Sequence, residues 1–174
     1  MEKHTLNPAL HKPPMVRILG IDPGTHRVGF GVVELEGQRL APIAFDTLEY
    51  TLPSHGERLV ALEKDVVALL KRHQPHAVAM ERLFFAQNKT TALSVSEARG
   101  VISLCVARRK LQLLEFTPSQ VKLAVASHGQ ADKRQVTHMV KLLLHITSPI
   151  AHDDTTDALA VAICGVSAYR PQHR

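Results

Sequence analysis

The sequence is short of cysteine, of aromatic residues and of long apolar runs, and these shortages exclude several classes of protein. Two cysteines among 174 residues do not make a disulfide framework, and both lie in apolar helical patterns that favour buried thiols. No apolar run reaches the roughly 18 residues that a membrane span needs, and the first residues lack the layout of a secretory signal. We therefore expect a cytoplasmic protein with no membrane partner.

The charge balance is basic. Lys and Arg number 21 against 16 Asp and Glu, which gives a formal net charge of +5. An excess of this sign favours an anionic partner but does not identify one. If four of the acids are gathered in one site, the rest of the surface becomes more basic still. Such a surface around an acidic site suits a protein that holds a phosphate backbone next to bound cations.

Hydrophobic periodicity predicts an α/β domain that opens with three strands. Strands are predicted where β-branched and apolar residues run between turn signals, over residues 16–22, 28–34, 40–50, 77–81 and 111–116. Helices are predicted where apolar residues recur at helical spacing, over 59–74, from 88 or 89 to 110, from 117 onward, from 132 to about 145, and from 152 or 153 to about 169. A meander followed by alternating strands and helices predicts a mixed five-stranded sheet, its first three strands antiparallel, with helices on both faces.

Two of the predicted strands end in a carboxylate. Asp22 follows an apolar strand directly before a Gly-containing turn, and Glu81 follows four apolar residues. Taken alone, each acid is explained equally well as an ordinary turn or strand-end charge. A third feature is the pair Asp154 and Asp157, which share one face at the start of a strongly apolar helix. Acids are also common at that position as caps and dipole partners.

Together the four acids suggest a metal site. Two strand-end carboxylates and a helix-borne pair that converge can hold two hard divalent cations through oxygen ligands and leave coordination positions for a scissile phosphate. Mg²⁺ or Mn²⁺ suits such a site. Zn²⁺ is not favoured, because the sequence offers no Cys or His pair at ligand spacing.

Several short motifs give the chain a specific resemblance. The segment ILGIDPG from Ile18, followed by GFGV from Gly29, resembles the opening signature of the RuvC family of crossover junction endodeoxyribonucleases. The segment ERLF from Glu81, with Asn88, resembles that family's second acidic strand. Later blocks match in the same order, namely ARGV at 98–101, QVK at 120–122, KRQV at 133–136 and DALA at 157–160. The resemblance runs from about residue 16 to residue 167.

The resemblance implies a fold and an activity. It implies an RNase H-like nuclease domain over residues 15–170, followed by a C-terminal tail over 171–174. Residues 1–14 depart from the family pattern, and their three prolines and low apolar content predict a mobile N-terminal tail. It implies a homodimer that resolves four-way DNA junctions by paired cuts, in recombination and repair, with RuvA- and RuvB-type branch-migration proteins as partners. The residues that it identifies as metal-binding and catalytic are Asp22, Glu81, Asp154 and Asp157. His152-Asp153 beside Asp154 leaves open which acid of that run is the ligand.

The same resemblance implies contacts to DNA. Phe84 is similar to the family's aromatic residue that stacks on an unpaired base, and Lys122 and Lys133 are similar to lysines near the scissile phosphate. Arg134 is expected to flank the same site.

On the long helix, the mostly small residues Ala92, Ser96, Gly100 and Leu104 fall four apart. This stripe fits either a dimer contact or packing against the sheet of the same chain.

Three other functions compete with this interpretation. The segment from Asp22 to Thr25 also resembles the first phosphate loop of actin-like and sugar-kinase ATPases, but the chain is too short for two such domains and has no second loop of this kind. An RNase H-like nuclease acting on RNA fits the acids equally well, because fold and acids do not choose the sugar. A non-catalytic DNA-binding module fits the net charge but leaves the acids unexplained.

Overall fold

A computed structural model describes residues 15–83 and 89–171, with the backbone alone at 89–91. The predicted N-terminal tail, residues 1–14, lies outside the described residues, as do residues 172–174. Strands form one five-stranded sheet, in the order β3-β2-β1-β4-β5. Their bounds are β1 (Met15–Pro23), β2 (Arg27–Glu36), β3 (Arg39–Glu49), β4 (Ala77–Glu81) and β5 (Gln112–Phe116). The first three are antiparallel, and β4 and β5 continue parallel to β1, as the predicted mixed sheet requires.

Helices cover both faces of the sheet. Their bounds are α1 (His55–His73), α2 (Lys89–Arg108), α3 (Pro118–Ala126), α4 (Lys133–Leu143) and α5 (Asp153–Ala168). The neighbouring residues Ile18 and Leu19 of β1 point to opposite faces and are both fully buried. Ile18 belongs to the core under α3, α4 and α5, and Leu19 to the core under α1 and α2. This double burial explains why the strand reads as an uninterrupted apolar run.

Helix starts follow the capping signals in the sequence. Thr117 caps α3 and Asp132 caps α4, and each forms a reciprocal capping box with the glutamine three residues later. Such a cap typically stabilises a helix by about 1 kcal/mol. The two caps confirm the predicted helix starts and fix where the helices that carry Lys122 and Lys133 begin.

Helix ends differ from the predictions by one or two residues. The helix expected to run to residue 110 ends at Arg108, and Lys110 takes a left-handed φ of 55°. The helix expected to reach about residue 145 ends at Leu143, and His145 has a φ of 54°. A residue with left-handed backbone cannot continue a right-handed helix. Hydrophobic periodicity does not reveal such a residue, and here no glycine marks the position.

The last helix, α5, lies directly on the sheet. Nearly all of it from Thr155 to Val166 is buried, and its backbone approaches β1 where that strand has glycine. A Cβ atom on Gly20 would lie 2.1 Å from the carbonyl oxygen of Ala158. Because glycine permits this close approach, α5 lies against the centre of the sheet. Its burial there explains why its sequence is so apolar. Of the helices in the described ranges, none is sufficiently long and apolar for a membrane span.

Candidate active site

The strand-end acids lie side by side at one edge of the sheet. Asp22 is the next-to-last residue of β1, and Glu81 is the last residue of β4. These strands are parallel neighbours, and Ile21 pairs with Met80 directly before the two acids. The carboxyl ends of parallel strands meet at the same edge, so Asp22 and Glu81 are held there by the sheet itself.

The first turns of α5 bring the other two acids to this edge. Asp22 is paired with Gly29 in the β1–β2 ladder, and a Cβ atom on Gly29 would lie 1.9 Å from the carbonyl oxygen of Asp154. The hydroxyl groups of Thr47 on β3 and Thr155 on α5 share a hydrogen bond of 2.8 Å. The start of α5 therefore packs against β2 and is hydrogen-bonded to β3.

Two adjoining cavities meet at the acids. The acidic cavity, of about 300 Å³, is lined by Asp22, Glu81 and Asp157, with Arg82 and Arg99 in its wall. The lysine cavity, of about 260 Å³, shares Glu81, Pro118 and Asp157 with it and adds the residues Lys122, Lys133, Val121, Val136 and Ala160. Glu81 and Asp157 thus stand between a cavity with most of the acids and a cavity with two lysines.

Burial and mutual repulsion make these carboxylates hard to ionise. Burial, followed by the charges of Asp157, Asp154 and Glu81, raises the pKa of Asp22 to about 7, against a smaller opposing effect of Lys133. Burial and then Asp157 also raise the pKa of Glu81, and burial raises that of Asp157. Nearby positive charge does not fully offset these acids. A bound cation would therefore stabilise their ionised forms.

The carboxylate oxygens fit a hard cation in their chemistry, although they are not arranged around a single point. Across residues 15–83 and 89–171, no three His, Cys, Asp or Glu side chains form a ready-made metal site. Asp22, Glu81 and Asp157 border one cavity instead, whereas Asp154 is not among the described residues that line it. Carboxylate oxygens whose charge is only partly offset by neighbouring cations are ligands that Mg²⁺ and Mn²⁺ prefer, so the chemistry of the residues fits the predicted cations.

Neighbouring ion pairs distinguish the two acids that start α5. Arg27 Nε lies 3.4 Å from Asp154 Oδ2. Lys133 Nζ lies 2.9 Å from Asp153 Oδ2 and 3.8 Å from Asp157 Oδ2. The side chain of Asp153 is 73% exposed against 30% for Asp154, and the charges that act on Asp22 include Asp154 and not Asp153. This arrangement favours Asp154 as the acid of the site.

The residues predicted to contact DNA are only partly gathered here. Lys122 and Lys133 line the lysine cavity. Arg134 is exposed on the first turn of α4 and is outside the set of described residues that line either cavity. Phe84 lies outside the described residues. Leu83, directly before it, lines the acidic cavity.

The stripe of small residues on α2 is divided between two environments. Ala92 and Ser96 are partly buried, whereas Gly100 is exposed and Leu104 is 48% exposed. The residues of α2 that pack against the sheet are instead Ala98, Ile102, Cys105 and Val106. Gly100 and Leu104 therefore face away from the core.

Sequence reasoning missed three contributors to the site. The sequence places Gly29 only in the GFGV motif, predicts no role for Arg27, and contains Arg99 in the ARGV motif without predicting a role for it. Arg99 donates hydrogen bonds to the carbonyl oxygen of Glu81 and to the carboxylate of Glu115. A cation among apolar positions of a helix was the signal available in the sequence. Its partners lie on strands whose positions only the fold reveals.

The sheet order, the helices on both faces and the acidic edge define an RNase H-like α/β nuclease fold. The family model described as crossover junction endodeoxyribonuclease RuvC matches residues 18–165. The chain belongs to this family.

Relatives and solved structures agree with that membership. The crossover junction endodeoxyribonuclease RuvC of Desulfitobacterium hafniense (strain DSM 10664 / DCB-2) is 49% identical over 150 residues, covering 84% of this chain and 90% of the relative. The Thermus thermophilus RuvC structure has a TM-score of 0.80 at 30% identity, with 87% of this chain and 93% of that one covered. The structure of T. thermophilus RuvC in complex with Holliday junction substrate has a TM-score of 0.82 at 29% identity, with the same coverage of both chains. These similarities extend over nearly all of the domain.

Proposed function

We propose that this protein is a structure-selective endonuclease that resolves four-way DNA junctions by phosphodiester hydrolysis, in homologous recombination and DNA repair. The observation that carries the proposal is the meeting of Asp22, Glu81 and Asp157 around one cavity in a chain of the RuvC family. A relative with closely similar structure has been solved with a Holliday junction substrate. The basic net charge of +5 suits a polyanionic substrate.

The residues proposed to hold two divalent cations, Mg²⁺ or Mn²⁺, are Asp22, Glu81, Asp154 and Asp157. Bound there, the cations would supply an activated water and offset charge on the entering and leaving oxygens, leaving 5′-phosphate and 3′-hydroxyl ends. Asp22 and Glu81 are held in place by the sheet, and Gly29 sets the approach of the helix that carries the other two. A rigid arrangement of this kind orients the reacting groups before the substrate arrives.

The lysine cavity is proposed to receive the phosphate backbone. Lys122 and Lys133 line it beside Glu81 and Asp157, so a phosphate there would be flanked by positive charge on one side and by the metal-binding acids on the other. Lys133 already pairs with Asp153 and Asp157, and it can shift toward a phosphate without leaving the site. Arg134 would contact the backbone farther along the strand, and Phe84 would stack on an unpaired base.

We further propose that the protein acts as a homodimer. Two sites are needed to cut two strands symmetrically, and the outer side of α2 exposes Leu93 (63% exposed), Gly100 and Leu104, with the charged Glu97 among them. Exposed leucines on one side of a helix are typical of a surface that another chain covers. RuvA- and RuvB-type proteins as partners and a cytoplasmic location remain part of this proposal.

A substrate panel tests the function. Labelled four-way junctions, linear duplexes and RNA–DNA hybrids of the same sequence are incubated with the protein while Mg²⁺ or Mn²⁺ is titrated. We expect cuts in pairs at the junction and intact duplexes. Cleavage of the hybrid alone would favour the RNA-acting alternative, and metal-independent junction binding without cleavage would favour a binding module.

A further inference from the structure

Arg99 of α2 joins the helix layer to the ends of two strands. One terminal nitrogen of its guanidinium donates to the backbone carbonyl oxygen of Glu81, the last residue of β4. The other donates to the carboxylate of Glu115 on β5. Glu115 pairs with Met80 in the parallel ladder, so both acceptors belong to adjacent strands. One side chain thus spans α2, β4 and β5 at the wall of the acidic cavity.

This position gives Arg99 more influence than an ordinary surface ion pair. Its side chain is only 12% exposed, and a cation at this depth is tolerated only when its donors are satisfied. The planar fork of a guanidinium can serve two acceptors at once, which an ammonium group cannot do with the same geometry. Two acceptors on neighbouring strands are therefore held in a fixed relation to each other and to α2.

The contact falls where β4 leaves the sheet. Glu81 is the last residue that pairs with β5, and beyond it the backbone amide of Arg82 donates to the carbonyl oxygen of Phe116 at 2.7 Å. Arg99 binds the carbonyl oxygen of Glu81 from the side of the helix. The backbone of Glu81 is thereby held by β5 on one side and by α2 on the other, and the direction of its side chain toward the cavity follows from that backbone.

We propose that Arg99 is a positioning residue for the Glu81 carboxylate. By bridging the Glu81 carbonyl oxygen and Glu115, it fixes how Glu81 faces the acidic cavity and so sets the affinity of that cavity for a divalent cation. The inference rests on the proposed function, in which Glu81 binds metal. Arg99 is not a substrate contact, because it is mostly buried and two of its nitrogens are already bonded to protein oxygens.

Arg17 provides a matched control. It also bridges a carboxylate and a backbone carbonyl oxygen, donating to Glu34 at 2.9 Å through Nε and to the carbonyl oxygen of His73 at 2.6 Å. It lies five residues before Asp22 on β1, away from the edge that carries the acids. Removing either arginine breaks a similar pair of contacts, and only Arg99 is connected to Glu81.

The test measures Mn²⁺ binding directly, by electron paramagnetic resonance of the full chain without DNA, for Arg99→Met, Arg99→Lys, Glu115→Gln, Arg17→Met and Glu81→Gln. Loss of groups that orient metal ligands typically weakens metal binding by about 10-fold or more. We expect about that loss for Arg99→Met, little rescue by Arg99→Lys, and a smaller loss for Glu115→Gln. Arg17→Met is expected to bind Mn²⁺ as the wild type does, even if its thermal stability falls. Junction binding in EDTA should be unchanged by Arg99→Met.

Two results would overturn the inference. One is wild-type Mn²⁺ affinity in folded Arg99→Met, and the other is loss of junction binding with intact Mn²⁺ affinity, which would make Arg99 a substrate contact. If circular dichroism shows that Arg99→Met does not fold, Glu115→Gln decides, and wild-type affinity in that variant counts against the inference. Glu81→Gln separates the two proposals: wild-type Mn²⁺ binding there would refute the metal site itself, whatever Arg99 does.

Discussion

Gly29 of β2 and Asp154 of α5 are in contact through their backbones, at the place where Gly29 pairs with Asp22 in the sheet. The missing side chain at residue 29 is therefore what lets the helix-borne acids approach the strand-borne ones. Contacts of this kind do not involve any functional group, yet they set the distances on which a metal site depends.

Replacement of Gly29 by alanine is expected to damage both stability and activity. The added methyl group must displace the first turn of α5, and overpacking of this kind costs about 1 to 3 kcal/mol. We expect a lower midpoint of urea unfolding and a loss of junction cleavage larger than the loss of stability explains. Gly56→Ala is the control, because nothing lies within 4 Å of a Cβ atom there. Equal cleavage by Gly29→Ala and wild type would contradict the role given to this contact.

Asp22→Asn is expected to abolish cleavage and to leave junction binding intact. The asparagine keeps the size of the side chain but removes a charged oxygen ligand, while the basic surface that binds the backbone is unchanged. Gel-shift titration in EDTA and single-turnover cleavage in Mg²⁺ separate the two effects. If binding and cleavage are lost together, Asp22 has a structural role instead.

The raised pKa of Asp22 predicts that the metal-free protein loses stability as the pH rises. The folded protein holds this proton up to a pH of about 7, whereas the unfolded chain releases it near the ordinary value. The folded state therefore gains its full stabilisation from this group below about pH 4, and that gain is lost as the pH rises through 7, with an upper bound of roughly 4 kcal/mol.

Thermal melts in EDTA between pH 5 and 8 check this sign. Asp22→Asn should have a higher melting temperature than the wild type at pH 8. The difference between the two melting temperatures should decrease toward pH 5. Asp46→Asn is the control, since Asp46 is exposed and, within the described ranges, accepts a hydrogen bond only from the neighbouring amide of Thr47. A wild-type melting temperature that rises with pH relative to Asp22→Asn would refute the prediction.

A charge on the exposed face of α2 is expected to disrupt the proposed dimer. Leu104→Glu places a carboxylate where the side chain is 48% exposed in the single chain, and burial of that charge against a second copy would be unfavourable. Sedimentation should show a shift from dimer to monomer, accompanied by loss of paired cuts. Leu142→Glu on α4, at a leucine that is 58% exposed, serves as the control. Dimers that persist in Leu104→Glu would place the interface elsewhere.

Much of the architecture could be predicted because the signals are local. The capping boxes at Thr117 and Asp132 depend on residues three apart, and the apolar run before Asp22 depends on burial on both faces of one strand. The left-handed residues Lys110 and His145 could not be predicted, because neither is glycine and their conformation follows from how the chain turns back onto the core.

By itself, the sequence determined the order of the elements, the positions of the acids at the ends of their strands and at the start of α5, and membership in the family. Only the tertiary structure decided which groups meet. It seated Asp154 over Gly29, put Lys133 between Asp153 and Asp157, and linked Arg99 to Glu81 and Glu115. The physical reason is that periodicity and caps depend on neighbours along the chain, whereas ion pairs and close backbone contacts depend on residues that only packing brings together.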